Sequence, residues 1–264
     1  MPGPARSIVA EPMASSGPAR RLLSGILLVG LFAALVGLGT WQMQRLHWKE
    51  GLLAAIDERR HAPPVDIDAI AALAAAGTEI DYRSVRLSGT FRNSGERHFF
   101  ATHDGQTGFY VYTPLMLADG RAVLVNRGFV PYERKEPATR PESQREGPVT
   151  ITGLARARLD AKPSWVVPEN DIAKNIFYWK DWTAMTAASG LSAARTLPFF
   201  VDADATPNPG GLPVGGVTQF DLPNNHLQYA LTWYGLAAAL LAVSGVFVFR
   251  RRAEARPGHG FEAR

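Results

Sequence analysis

The architecture follows from one stretch, Pro223-Asn224-Asn225-His226-Leu227-Gln228-Tyr229, and from the apolar run that it opens. No residue from 227 to 249 is charged, and arginines close the run at 250–252. A helix needs about 20 apolar residues to cross the hydrocarbon core of a bilayer. The run therefore predicts a transmembrane helix over residues 227–249, with an asparagine capping its exposed N–H groups.

The two sides of this predicted helix differ in chemistry. At about 100° per residue, His226, Tyr229 and Trp233 share one face, with the imidazole in the first turn at the membrane surface. The opposite face carries small residues, namely Gly235, Ala238, Ala242 and Gly245. Small residues allow helices to approach closely in a membrane, so this second face is predicted to pack against a neighbouring helix.

Another uncharged run lies near the N-terminus, over residues 22–42, and includes the interfacial Trp41. A cleavable signal peptide is the alternative, but its apolar core should be shorter, about 7–15 residues, and followed by a small-residue cleavage site. Here the run continues directly into Gln-Met-Gln-Arg, which favours an uncleaved transmembrane helix. Residues 1–21 are rich in Pro, Ala, Ser and Arg and are predicted to form a disordered tail.

Charge orients the two predicted spans. The chain has 28 Lys and Arg against 24 Asp and Glu, and much of the excess lies before the first span and after the second. This positive-inside pattern predicts that residues 1–21 and the basic tail at 250–264 are cytoplasmic, with residues 43–222 outside the cytoplasm. Membrane lipid is then the expected partner, and no nucleic acid is needed to explain the net charge of +4. The absence of cysteine excludes disulfides, thiol catalysis and Cys-ligated zinc.

The segment between the spans is predicted to be one mostly β domain. Apolar residues with charges between them predict that the first helix continues as an amphipathic extension over residues 45–60. Pro63 and Pro64 are expected to end it. Short helices are expected at 66–76 and 177–188, and a surface loop at 134–148. Alternation and turn residues predict strands at 82–91, 96–102, 109–117, 122–130, 149–154, 199–202 and 214–220.

Short strands with regular turns favour an antiparallel sheet curled into a barrel or sandwich. The predicted fold class is therefore an α+β membrane protein, in which two transmembrane helices flank one mostly antiparallel β domain with short helices.

His226 is the strongest candidate for chemistry. One interpretation is an interfacial histidine that caps the helix and contacts lipid headgroups. The other is a haem or copper ligand, because a neutral imidazole is the usual axial ligand of haem iron and Tyr229 and Trp233 supply aromatic walls. On the first helix Trp41, Arg45 and Trp48 share a face, and a guanidinium there is suited to pair with a haem propionate. The alternative for this patch is a Trp/Arg membrane anchor with a snorkelling side chain.

The other polar motifs of the middle domain predict structural roles. His98 and His103 flank a strand end without a clear third metal ligand, so exposed hairpin positions are expected. Gly128 permits a bulge, and Asn126 or Arg127 is expected to hydrogen-bond a neighbouring loop. The motifs G-x-S-x-G and H-E-x-x-H, a phosphate-binding loop and paired carboxylates are absent, so the sequence does not support an enzyme.

Several segments together resemble the Surfeit locus protein 1 family of cytochrome c oxidase assembly factors, in the order found in that family. They are Leu38–Arg45, Tyr82–Gly89, Gly108–Leu117, Leu124–Pro131, Asn175–Asp181 and Pro223–Gly235. The resemblance implies a protein of the bacterial inner membrane with a periplasmic domain, which matures subunit I of haem-copper oxidases. It also implies that haem a is bound, with His226 as the iron ligand, and that subunit I is a partner, with haem a synthase as a further candidate. The alternative function is a cofactor-free scaffold that stabilises subunit I during assembly.

Overall fold

The computed structural model describes residues 17–220 and 223–254, and these form two units. One unit contains residues 17–51 and 223–254, and the other contains residues 52–220. The helices are α1 Pro18–His61, α2 Ile67–Ala75, α3 Trp182–Ala188 and α4 His226–Glu254. The strands are β1 Val65–Asp66, β2 Ser84–Phe91, β3 Arg97–His103, β4 Gln106–Leu117, β5 Ala122–Pro131, β6 Pro148–Ala157 and β7 Thr196–Ala203.

The first unit consists of two long apolar helices, which confirms the helical part of the fold class. Both α1 and α4 are long and apolar enough to cross a membrane. The predicted extension of the first helix is confirmed, because α1 runs without a break for 44 residues from Pro18 to His61. Residues 1–16 of the predicted N-terminal tail and residues 255–264 of the predicted basic tail lie outside the described residues.

The second unit is built on a closed barrel. Its sheet has the strand order β1-β2-β6-β7-β5-β4-β3, and an additional pairing of β2 with β4 closes a ring of five strands. In that closure Gly89 lies opposite Leu117 and Phe91 lies opposite Leu115. Most pairings are antiparallel, as predicted, but β7 runs parallel to β5 and β1 runs parallel to β2.

Two apolar clusters explain why β5 is buried along almost its whole length. Alternate side chains such as Val123 and Val125 join the large core cluster that contains Ile70, Val85 and Phe199. The other face of the sheet is covered by α3, and here Leu124 packs with Tyr112, Phe177, Trp182, Met185 and Phe200. A strand covered on both faces reads as a continuous apolar run, which is the pattern of residues 122–125.

Three local predictions need correction. The expected strand at 214–220 is wrong, since the segment makes only one bridge, between Val214 and Phe129. The helix expected at 177–188 begins only at Trp182, because Asp181 caps it by accepting a hydrogen bond from the Ala184 N–H. The surface loop predicted at 134–148 needs correction only in part, because the segment is mostly exposed but contains 3₁₀ turns at 137–139 and 141–143, and Arg140 within it is buried.

Candidate functional site: the seam between α1 and α4

The two long helices pack along a seam of small and apolar residues. Within the first unit, the buried positions are Leu35, Gly39 and Leu46 on α1 and Ala230 and Ala237 on α4. Spacings of four and seven residues keep these positions on one stripe of each helix. The seam therefore forms within the first unit.

Gly39 lies at a close contact between α1 and α4. A Cβ at this position would lie 2.7 Å from Cε1 of Tyr234, so only glycine leaves room for that ring. The Tyr234 hydroxyl lies 3.1 Å from the hydroxyl of Thr40, the next residue on α1. The contact runs antiparallel, because the later residue of α4 meets the earlier part of α1.

One helical turn beyond Gly39 on α1, a second polar contact joins the two helices. Nδ1 of His226, at the start of α4, lies 2.7 Å from Oε1 of Gln42. An amide oxygen accepts only, so Nδ1 is the donor in this contact, and in the neutral ring Nε2 then keeps its lone pair. This is the tautomer that a histidine needs in order to bind a metal through Nε2.

The other predicted site residues lie on the same two helices. Trp233 is partly buried, whereas Tyr229 and Trp41 are about half exposed, at 54% and 51%. The guanidinium of Arg45 lies over the ring of Trp48, 4.7 Å from its centroid. On two antiparallel helices that advance about 100° per residue, Trp41, Arg45 and Tyr229 lie to the same side of the seam.

The small-residue face of α4 does not pack against α1, so its contact with a neighbouring helix stays a prediction. Gly235, Ala238 and Ala242 are exposed, and a Cβ at Gly235 would meet no atom within 4 Å. The glycine that permits the close contact is on α1, and the ring of Tyr234 on α4 packs against it. Helix pairing thus depends on complementary shape rather than on a smooth face of one helix.

Gln42 was not identified from the sequence as a functional residue. An amide side chain near the end of a membrane helix is common, so no signal in the sequence identified Gln42. Only the pairing of α1 with α4 brings it to His226. A second histidine in the first unit, His47, is exposed on α1.

The β domain contains a buried charged network that the sequence prediction placed at the surface. His98 is 2% exposed, and its Nε2 lies 2.8 Å from Oε1 of Glu96, while its Nδ1 lies 3.1 Å from the amide of Asn175. Arg140 donates to both carboxylate oxygens of Glu96. Burial raises the pKa of Glu96, but the bonds from His98 and Arg140 outweigh it, and the pKa lies below its ordinary value. The expectation that His98 is an exposed hairpin residue is therefore wrong.

The structural role predicted for Asn126, Arg127 and Gly128 is confirmed. Arg127 donates to the carbonyl of Ser143 at 2.5 Å, and Asn126 accepts a bond from the Gly128 N–H at 3.1 Å. Gly128 has φ 125°, and a Cβ there would lie 1.9 Å from the Val214 carbonyl oxygen. Burial lowers the pKa of the Arg127 guanidinium to about 10. These contacts attach loops to the barrel wall.

Metal-binding clusters are absent from the residues that the structure describes. No group of three or more His, Cys, Asp or Glu side chains converges among residues 17–220 and 223–254. A single imidazole beside an amide, as at His226, suits only a metal that brings most of its ligands from another source.

The comparisons with known proteins all identify the same family. The profile of the SURF1 family matches residues 29–238 of this chain. Surfeit locus protein 1 of Rattus norvegicus is 35% identical over an alignment of 268 positions, which covers 96% of this chain and 83% of the rat protein. Surfeit locus protein 1 of Homo sapiens is 36% identical over 250 residues, covering 88% and 80% of the two chains. The SURF1-like protein of Drosophila melanogaster is 32% identical over 235 residues, covering 81% and 74%.

Proposed function

Because the chain belongs to the SURF1 family, we propose that it is an assembly factor for cytochrome c oxidase that binds haem a and assists its insertion into subunit I. In this proposal the protein spans the inner membrane of a bacterium twice, with both termini cytoplasmic and the β domain periplasmic. Its partners are subunit I and, upstream of it, haem a synthase.

The observation that carries the proposal is the hydrogen bond between His226 Nδ1 and Gln42 Oε1 at 2.7 Å. It supports the proposal because a neutral imidazole that donates from Nδ1 has Nε2 free as a ligand, as haem iron requires. Haem a, as the cargo, supplies an iron that accepts this nitrogen. The residues that would hold the rest of the molecule are Trp233, Tyr229 and Trp41 as aromatic surface and Arg45 as a guanidinium for a propionate.

A carrier of this kind acts by ligand exchange rather than by catalysis. One protein imidazole gives the iron a single protein bond, which a receiving protein with its own histidine ligands can displace. The exposure of Tyr229 and Trp41 is consistent with such transfer, because cargo bound against exposed rings remains accessible from outside. A resident cofactor, by contrast, is usually largely enclosed.

The test is to purify the full-length protein in detergent from cells that make haem a and to record its Soret band. We expect a band in the wild type, loss or displacement of that band in His226→Ala, and an unchanged band in the control His47→Ala. A wild type without a Soret band above background would instead support the cofactor-free scaffold. A normal band in His226→Ala would refute the assignment of His226 as the ligand while leaving haem binding intact.

A further inference from the structure

A second candidate site lies in the β domain, in a cavity of about 430 Å³ that opens beside the barrel. This volume falls in the usual range for small-molecule sites, roughly 300–1,000 Å³. Its walls combine aromatic rings with charged and amide groups, principally Tyr82, Phe99, Tyr110, Asn126, Arg156 and Lys180. The rings of Phe99 and Tyr110 are almost parallel, with an interplanar angle of 4° and centroids 6.2 Å apart.

Lys180 brings a positive charge to this cavity. No carboxylate of the described residues forms an ion pair with its ammonium group. Its Nζ lies 5.8 Å from the centroid of the Tyr112 ring. Burial raises the pKa of Tyr112 to about 12, so this phenol is neutral at physiological pH and does not neutralise the lysine.

Arg156 brings a second cation that lacks a hydrogen-bonded carboxylate. Its guanidinium lies over the ring of Tyr82, 4.0 Å from the centroid. Its Nε is 3.5 Å from Asp81 Oδ1 and 3.8 Å from Asp202 Oδ2, and neither contact satisfies hydrogen-bond geometry, so Nε has no hydrogen-bond partner in the structure. Asp202 instead accepts from Asn126 at 3.0 Å and from Thr218 at 3.1 Å.

Of the two cations, Arg156 lies within 4 Å of two carboxylates, Asp81 and Asp202. Lys180, by contrast, forms no ion pair with a described residue, so it supplies one unpaired positive charge to the cavity. A single positive charge matches a monoanion better than a phosphate dianion, and a guanidinium and an ammonium are both good carboxylate partners. The aromatic walls suit a flat apolar body. We propose that this cavity binds a small molecule with one carboxylate on a planar body. This site is separate from the α1–α4 seam and does not depend on the proposed function.

The probe is 2-naphthoate, titrated calorimetrically into the full-length protein in detergent micelles, with 2-naphthylmethanol as the uncharged analogue. We expect saturable binding of the carboxylate and much weaker binding of the alcohol. Lys180→Met and Arg156→Gln should each weaken naphthoate binding roughly tenfold or more, because each removes a charged partner. The matched controls Lys174→Met and Arg158→Gln remove exposed cations nearby and should leave binding unchanged.

Three results would overturn the proposal: no saturable binding to the wild type, equal binding of the alcohol, or equal loss in the control variants. Tighter binding of 2-naphthyl phosphate than of 2-naphthoate would overturn the assignment to a monoanion. Should Lys180→Met fail to fold, Lys180→Arg provides the second variant, because it keeps the charge and should bind within a few-fold of the wild type. The comparison of acid with alcohol on the wild type needs no variant. A normal Soret band with no naphthoate binding would reject this site alone.

Discussion

The imidazole Nδ1 of His226 lies 2.7 Å from Oε1 of Gln42, although the two residues are 184 positions apart in the chain. This bond joins the first turn of α4 to α1 and sets both the tautomer and the ring orientation of the histidine. An acceptor on the far nitrogen also makes an imidazole a more basic ligand. Gln42 therefore acts as a positioning residue for His226 in the proposed haem site.

Replacing Gln42 by Leu removes that acceptor while preserving side-chain volume. We expect haem affinity, measured by titration with haemin at the Soret band, to fall about 10–100-fold, as for other orienting partners of metal ligands. Gln42→Glu should keep or strengthen binding, because a carboxylate is a better acceptor. The control is Gln44→Leu, which changes an exposed amide on the same helix. Equal affinities for Gln42→Leu and the wild type would exclude a positioning role.

The seam should be sensitive to the size of residue 39. Gly39→Leu places a side chain against the ring of Tyr234, where even a Cβ would lie 2.7 Å from Cε1. We expect a loss of roughly 1–3 kcal/mol in stability from overpacking, seen as a lower Tm of the detergent-solubilised chain. Gly37→Leu is the matched control, since a Cβ there meets no atom within 4 Å. Similar Tm values for both variants would contradict the close packing of the two helices.

The buried pair of Glu96 and Arg140 should be costly to break. Both side chains are 2% exposed, so Arg140→Met leaves a carboxylate buried without its main partner. We expect chemical denaturation to give a free energy of unfolding about 3–5 kcal/mol lower. The exposed Arg134→Met should cost little. The double variant Glu96→Gln/Arg140→Met should lose less than the sum of the single changes, whereas simple additivity would show that the two residues do not interact.

The same network predicts a loss of stability in acid. The pKa of Glu96 is lowered in the folded state, so its contribution is present above the unfolded value of about 4.3 and is lost as the pH falls through the folded value. The difference in unfolding free energy between the wild type and Glu96→Gln should therefore shrink on acidification. Glu133→Gln, at an exposed position, should show a difference that stays small at every pH. A constant difference for Glu96→Gln would rule out this linkage.

Local patterns in the sequence predicted most of the secondary structure. The apolar runs predicted the helices α1 and α4. Alternation predicted six of the seven strands, β2 to β7, and missed only the short β1. The strand expected at 214–220 does not form. The segment is an irregular coil that packs over Gly128, and Val214 makes its only bridge. Periodicity cannot distinguish a paired strand from an extended segment that lies on a sheet.

Burial of charge could not be predicted from the sequence. Arg140 lies in a Pro- and Glu-rich segment typical of a surface loop, and His98 lies beside a hairpin turn. Both are buried because Glu96, Asn175 and the neighbouring carbonyl groups satisfy their polar atoms. A polar residue is buried only where partners from distant segments converge, and no local pattern records that convergence.

The sequence by itself determined that two apolar helices flank a β domain and that His226 lies in the first turn of the second helix, because hydrophobic length is a local property. Only the tertiary structure decided which face of α4 meets α1, that Gln42 is the partner of His226, and that the pairing of β2 with β4 closes the barrel. Those outcomes depend on shape and hydrogen-bond complementarity between residues far apart in the chain. The stabilising free energy arises only when the two segments are in contact, so neither segment alone can predict it.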